Sequence, residues 1–410
     1  MLNMLNSVPI AATFSKDSSF FGKNFPATYF TEGRGARVKD NTGRWLLDWI
    51  SGLGATILGH GNVGFEQHVN MFLRKGIAFS MPHELEYKVA EQLTSLLSRH
   101  VPGWQSEKLQ VRWLLSGSDA CNAAVRLARA ITGKSKIMDF GYHGWHDTFV
   151  GATPPAHGLK QSDVIKFEIG NYEKFNNVNP EEIAAVIMEI GLVSPDTEWY
   201  TFIRNWCTKN NVLLIIDEVV TGLRYARGGA CELYNIKPDL VCMGKALGNG
   251  APIAALIGKA EHMAWFDPRQ RHNNDPVFVS STNIGNTIGL AAANWMLSYV
   301  RDGKYLKHIW DYGELLRNGL SGVGIVVHGN APRHVIVWQS DGYKAFFINR
   351  MHESGILINR PNFVNMAHNL DDIDFTIEVA AQIDNEWSGL TNLNKKVWED
   401  NAPLIMFRNR

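Results

Sequence analysis

From about Val111 the chain alternates short runs of apolar, often β-branched residues with longer segments whose apolar positions recur at helical spacing. Few architectures accept that pattern, and the one it favours is a sheet of buried strands with helices on both faces. The expected strands are residues 111–115, 136–140, 184–188, 212–216, 240–243 and 253–257, with a helix near 288–299 closing the region. Ahead of it, "GARVKDNTGRWLLDW" reads as a hairpin turning at Asp40-Asn41-Thr42-Gly43. Behind it, strands near 324–328 and 335–339 and a helix around 373–387 suggest a smaller α+β domain.

Composition excludes several classes of function. Lys plus Arg and Asp plus Glu are both 40, so no long-range field gathers a polyanion, and no nucleic-acid partner is expected. No run approaches the roughly 18 apolar residues of a membrane span, and "MLNMLNSVPIAATFSKD" lacks the charged start of a secretory signal. A cytoplasmic location is expected. Cys121, Cys207, Cys231 and Cys242 lack Cys-x-x-Cys spacing and read as reduced small hydrophobes.

The helix after the first buried strand begins in "LLSGSDACNAAVRLARAITGK". Ala120, Ala124, Leu127, Ala128 and Ile131 recur on one face, Ser116 or Ser118 caps the start, and Gly117 admits a close ligand. Such a start suits a phosphate, and equally a plain capped helix. At the end of "VLLIID", Asp217 and Glu218 form an acidic pair where α/β folds place ligands. One of the two suits a cationic ring nitrogen, an acid–base role or a helix cap; no HExxH or His/Asp series accompanies them, so no metal is expected.

Lys245 follows the next short strand by two residues, in "VCMGKALGNGAPIAALIG". Apolar surroundings favour the neutral, nucleophilic amine, although a lysine at a domain edge also snorkels. In "FGYHGWHD", Tyr142, His143 and Trp145 supply planar surfaces, with Gly141 and Gly144 beside them. Phosphate turn, stacking ring, carboxylate and lysine thus fall in successive connections of one sheet. Pyridoxal phosphate requires that set.

At "SGSDACNAAVRLARAITGKSKI", "YHGWHD", "IIDEVVTGLR", "GKALGNGAPIAALIG" and "STNIGNT" the chain resembles the class III aminotransferases, fold-type I pyridoxal-phosphate enzymes, closest in flavour to the glutamate semialdehyde aminomutase branch. The resemblance implies a mostly parallel seven-stranded sheet and a smaller α+β domain. It divides the chain into an N-terminal segment of the small domain (1–70), a cofactor-binding domain (71–305) and a C-terminal small domain (306–410). It makes Lys245 the Schiff-base lysine and Asp217 the partner of the pyridine nitrogen. Tyr142 stacks on the ring, Val219 packs on its other face, and Gly117 and Ser118 meet the phosphate. Thr282 would reach the phosphate of a neighbouring subunit in a homodimer. Glu189 matches an acidic position near the cofactor, with Ile190-Gly191 in place of the usual proline.

Two departures bear on the reaction. The aminomutase relatives carry an arginine where this chain has "FFGKNFPATYF", and a glutamate where it has Val364 in "RPNFVNMAH". Transfer between separate molecules is therefore expected, from glutamate to a keto or aldehyde acceptor that is hydroxylated or sugar-like, with intramolecular aminomutase chemistry as the alternative. A noncatalytic, cofactor-binding regulatory or structural protein is the third reading, against which the retained Lys245 speaks. Asn24, Tyr29, Arg224 and Asn362 are the candidate substrate contacts.

Overall fold

The computed structural model describes residues 29–150, 159, 163–191, 196–269, 276–400 and 402. They form two compact units. Of these, one holds the residues up to Leu53, Leu58–Gly61 and those from Ile309; the other holds Gly54–Ile57 and those described within Asn62–His308.

The first unit opens with β1 (Phe30–Arg34), β2 (Arg37–Asp40) and β3 (Trp45–Asp48), paired antiparallel in succession. The expected turn joins the last two. Asp40 fixes it by accepting from the Thr42 amide (2.9 Å), the Thr42 hydroxyl (2.6 Å) and the Arg44 amide (3.0 Å), an Asx arrangement.

The second unit carries the main sheet: β4 (Leu109–Leu114), β5 (Lys136–Phe140), β6 (Val164–Lys166), β7 (Ile183–Glu189), β8 (Leu213–Glu218), β9 (Leu240–Met243) and β10 (Ala254–Lys259), in the order β4-β10-β9-β8-β7-β5-β6. β6, β5, β7, β8 and β9 run parallel, and β10 is antiparallel to both neighbours. This is the mostly parallel seven-stranded sheet that the resemblance implies. Every residue of β7 is buried, as a strand covered on both faces requires.

Helix α1 (Gly117–Thr132) lies on this sheet through Ala120, Ala123, Ala124 and Ala128, whose small side chains permit close approach. Gly133, at φ 69°, ends it in the left-handed region. Helices α2 (Thr197–Lys209) and α3 (Thr287–Tyr299) are capped by Asp196 and Asn286.

The first unit resumes with β11 (Val327–Asn330), β12 (Arg333–Ile336), β13 (Ile356–Leu357), β14 (Pro361–Phe363) and α4 (Leu370–Gly389). β13 adds parallel to β3, and β11-β12-β14 form a separate sheet. The first hairpin sits between the two expected strands. Its pairing closes around Ala331-Pro332, with Asn330 opposite Arg333, whereas the apolar run alone leaves that register open. Trp49 anchors the unit, stacked on His368 at 3.9 Å and donating to Thr376 Oγ1 at 2.9 Å. Among the described residues no helix is long and apolar enough to cross a membrane.

His334, fully buried in β12, donates from Nδ1 to the Ala331 carbonyl at 3.3 Å, and burial lowers its pKa to about 4. The folded state therefore holds it neutral at a pH where the unfolded chain, near about 6.5, binds a proton. Stability is full above about pH 6.5 and falls by about 3 kcal/mol as pH drops toward the folded value. Thermal unfolding midpoints between those limits should fall more steeply for the native chain than for His334→Gln. Parallel curves would contradict the assignment.

Candidate active site

Successive residues of a strand face opposite sides, and that separates Asp217 from Glu218 at the end of β8. Glu218 accepts from the amides of Ala230 (2.9 Å) and Cys231 (2.8 Å) and from the Thr221 hydroxyl. Burial raises its carboxyl above the ordinary range against the pull of those hydrogen bonds. It stitches a turn.

Asp217 faces a different set. Its Oδ2 lies 2.7 Å from His143 Nδ1 and 3.3 Å from the Cys121 thiol, and its Oδ1 accepts the Val219 amide at 2.9 Å. His143 Nε2 is 3.1 Å from the Phe140 carbonyl and 3.4 Å from Asp139 Oδ1, and Lys166 reaches Asp139 Oδ2 at 2.9 Å. Burial opposes charge on His143, yet the flanking carboxylates outweigh it and hold the imidazole's pKa well above its usual value. His143 and Lys166 in turn hold Asp139 below the usual carboxylate range despite its burial.

Cys121, His143 and Asp217 place ligand-type atoms within 4.8 Å of one another. Burial, with Cys242 and Asp217 nearby, pushes the Cys121 thiol far up. It is a hydrogen-bond donor here, whereas metal binding needs the thiolate.

The first turn of α1 adjoins this carboxylate. Ser116 is the cap: its hydroxyl accepts from the Asp119 amide at 3.2 Å, and Asp119 answers to the Ser116 amide at 3.0 Å. The amides of Gly117 and Ser118 then head the helix, where intrahelical acceptors are lacking. A Cβ on Gly117 would stand 2.5 Å from Val219 Cγ1, and one on Gly144 would collide with Ser118 Oγ. A Cβ on Gly244 would sit 3.5 Å from Val219 Cγ1 and 3.8 Å from the Gly117 nitrogen. Glycine thus lets the helix start, Val219, the turn at Gly144 and the residue before Lys245 approach one another closely.

Tyr142, 37% exposed, donates its amide to Glu189 Oε2 at 3.0 Å. Glu189 ends β7 directly beside Asp217. Lys245 is half-buried and begins the turn after β9, at φ 44°.

Close contacts therefore join Gly117, Ser118, Val219, Asp217, Tyr142 and Glu189 at the carboxyl ends of β7 and β8 through Gly144, Gly244 and His143, and Lys245 is covalently next to Gly244. Thr282 is exposed in the turn before α3. Arg224 is fully buried, its Nη2 donating to the Gly54 carbonyl at 2.9 Å. Tyr29 is exposed and Asn362 fully buried in β14, both in the other unit; Asn24 lies outside the described residues. The sequence alone reads His143 as ring surface and Cys121 as a reduced small hydrophobe, and gives Asp139 no role. The i,i+4 spacing of Asp139 and His143 across a glycine turn is the one signal that pointed to their contact.

The fold and this edge define a class of protein. Residues 21–360 match the family Aminotransferase class-III. The chain is 34% identical over 296 residues to glutamate-1-semialdehyde 2,1-aminomutase of Flavobacterium psychrophilum, spanning 66% of this chain and 65% of that protein, under two thirds of its length. With the same-named protein of Desulforamulus reducens it shares 31% over 405 residues, 88% of this chain and 90% of the other. An ω-transaminase from Sphaerobacter thermophilus superposes with a TM-score of 0.82 at 25% identity, over 92% of this chain and 94% of that one.

The chain belongs to the class III aminotransferases. It is a pyridoxal-phosphate enzyme, and the site suits that cofactor: helix-start amides that lack intrahelical acceptors for a phosphate, a close glycine approach that a Cβ at Gly117 or Gly144 would block, and a buried carboxylate for a ring nitrogen.

Gly117→Ala tests this close approach. The added methyl must displace Val219 or the helix start, and the apoprotein should bind pyridoxal phosphate at least about tenfold more weakly, roughly 1.4 kcal/mol. Absorbance titration reads the affinity. Unaltered binding would remove Gly117 from the cofactor site.

Proposed function

We propose that this chain transfers an amino group from glutamate to a separate keto or aldehyde acceptor, hydroxylated or sugar-like, as a cytoplasmic homodimer. What carries the reading is the adjacency of Lys245 to Gly244, whose Cβ position lies between Val219 and the Gly117 amide. The three-part division at residues 70 and 305 belongs to the same proposal.

When bound, pyridoxal phosphate supplies the electron sink for deprotonating the substrate carbon. The chain does the rest. The Gly117 and Ser118 amides bind the phosphate, and Tyr142 and Val219 enclose the ring. Asp217 offers a fixed negative charge to the ring nitrogen. Glu189, by accepting the Tyr142 amide, holds the stacking residue in place. Lys245 Nζ would hold the cofactor, and its free amine would carry a proton to and from the reacting carbon, a role worth about 10²- to 10⁴-fold.

Thr282, exposed ahead of α3, serves the phosphate of a second copy. Substrate contacts are proposed from Asn24, Tyr29 and Asn362, with Arg224 acting through the Gly54 carbonyl it holds. The absence of arginine from residues 20–30, and Val364 in place of a glutamate, support an acceptor other than glutamate semialdehyde. The curated relatives, named as aminomutases, favour the second reading, intramolecular transfer on one carbon skeleton.

Two experiments test this. Glutamate labelled in its nitrogen, incubated with a panel of hydroxylated aldehydes and ketones, should pass its label to a separate product; conversion of glutamate semialdehyde to 5-aminolevulinate without exchange would establish the second reading instead. Asp217→Asn should alter the cofactor absorbance and slow single-turnover transfer by at least about 10-fold, the loss expected of a charge-assisted bond. Glu218→Gln should leave the cofactor spectrum alone, since that carboxylate holds a turn. The reverse pattern would exchange their roles.

A further inference from the structure

The oxygens that face the His143 ring nitrogens are all acceptors. Nδ1 meets Asp217 Oδ2 at 2.7 Å; Nε2 meets the Phe140 carbonyl at 3.1 Å and Asp139 Oδ1 at 3.4 Å. Carbonyl and carboxylate oxygens cannot donate, so both ring nitrogens must carry a proton. The charged and titratable groups around the ring are Asp139 from β5, Asp217 from β8 and Cys121 from α1. Lys166 of β6 stands behind Asp139, and Cys242 of β9 behind Cys121. The result is a buried row of alternating charge, Asp139, His143, Asp217, with Lys166 at its outer end.

Asp217 has about four acceptor sites on its two oxygens. His143 and Cys121 occupy Oδ2, and the Val219 amide takes one site on Oδ1. The site left over is on Oδ1.

We propose that Asp139 is a positioning residue for amino transfer: through His143 it holds Asp217 with Oδ2 fully engaged, so that Oδ1 is the oxygen presented to the ring nitrogen of the cofactor. This rests on the role proposed for Asp217. Asp139 touches neither cofactor nor substrate. It supplies the second carboxylate that a buried imidazolium needs, because a lone buried charge sheds its proton. Without it the imidazole can lose its proton, and the charge that orients Asp217 is then lost.

The experiment follows the His143 ring in protein carrying ¹⁵N-labelled histidine, with its signals assigned through His143→Gln and recorded without and with pyridoxal phosphate. In the native chain both nitrogens should stay protonated from about pH 6 to 9, spanning the ordinary imidazole value. Asp139→Asn should bring a titration into that window. In the loaded protein the cofactor absorbance should acquire the same pH dependence. The first half-reaction should slow by at least about tenfold at saturating donor, with little change in KM, since Asp139 does not touch the substrate. A merely structural role would lower stability and move none of these.

A native His143 that titrates near about pH 6.5 overturns the proposal, and that measurement stands even if Asp139→Asn fails to fold. So does a variant whose ring signals match the native protein, or one whose ring changes while spectrum and rate do not. Asp217→Asn, measured alongside, separates the two readings. A cofactor spectrum that Asp217→Asn moves and Asp139→Asn does not overturns the role of Asp139 alone. One that neither moves overturns the role of Asp217 and this proposal with it.

Discussion

The buried carboxylate of Asp217 sets the terms for its surroundings. It ends a strand whose preceding residues are apolar, at a depth where an uncompensated charge costs several kcal/mol. Three elements answer it: α1 supplies the Cys121 thiol, the turn after β5 supplies His143, and the chain leaving β8 supplies the Val219 amide. His143 reaches the carboxylate because Gly141 and Gly144 adopt φ of 112° and 105°, folding residues 140–144 into a tight return. The same return places the Tyr142 amide on Glu189 and brings Gly144 against Ser118. Charge compensation, the Tyr142 backbone and the helix start are thus linked through a few residues.

Much of the large unit was legible because its strands are buried on both faces and separated by amphipathic helices. β5 and β9 fall at the expected residues, and β7, β8 and β10 differ by one or two at their ends. β6 was missed: three residues, Val164–Lys166, partly exposed, give periodicity nothing to work on. The antiparallel setting of β10 is invisible in sequence, since an apolar run reads the same in either direction. β1 escaped for the opposite reason, its five residues FTEGR being almost wholly exposed.

The site was legible in residue type and not in partnership. Asp217 and Glu218 are chemically alike and adjacent; which one joins the His143 row and which braces a turn depends on contacts with residues 74 and 12 positions away. His143 was read for its ring face, while its ring edge makes the charged contacts. Cys121 shares its helix face with alanines, and only the packing of α1 on β8 shows that its sulfur reaches a carboxylate.

The turn at Lys245 shows the cost of joining these parts. Lys245 and Asn249 hold φ of 44° and 43°, a region that costs a residue with a Cβ roughly 1–3 kcal/mol. A strand continuing past Met243 would keep alternating across the sheet, with its lysine confined to one layer. The left-handed residue ends that alternation immediately after Gly244. Its neighbours fix it from both sides: Met243 pairs with Glu218 and with Ala255, and the Leu247 and Gly248 amides close on the Gly244 and Lys245 carbonyls at 2.9 and 3.0 Å. Strain held this firmly sets Lys245 directly after Gly244, which lies beside the helix start and Val219. A relaxed strand end would not hold it there.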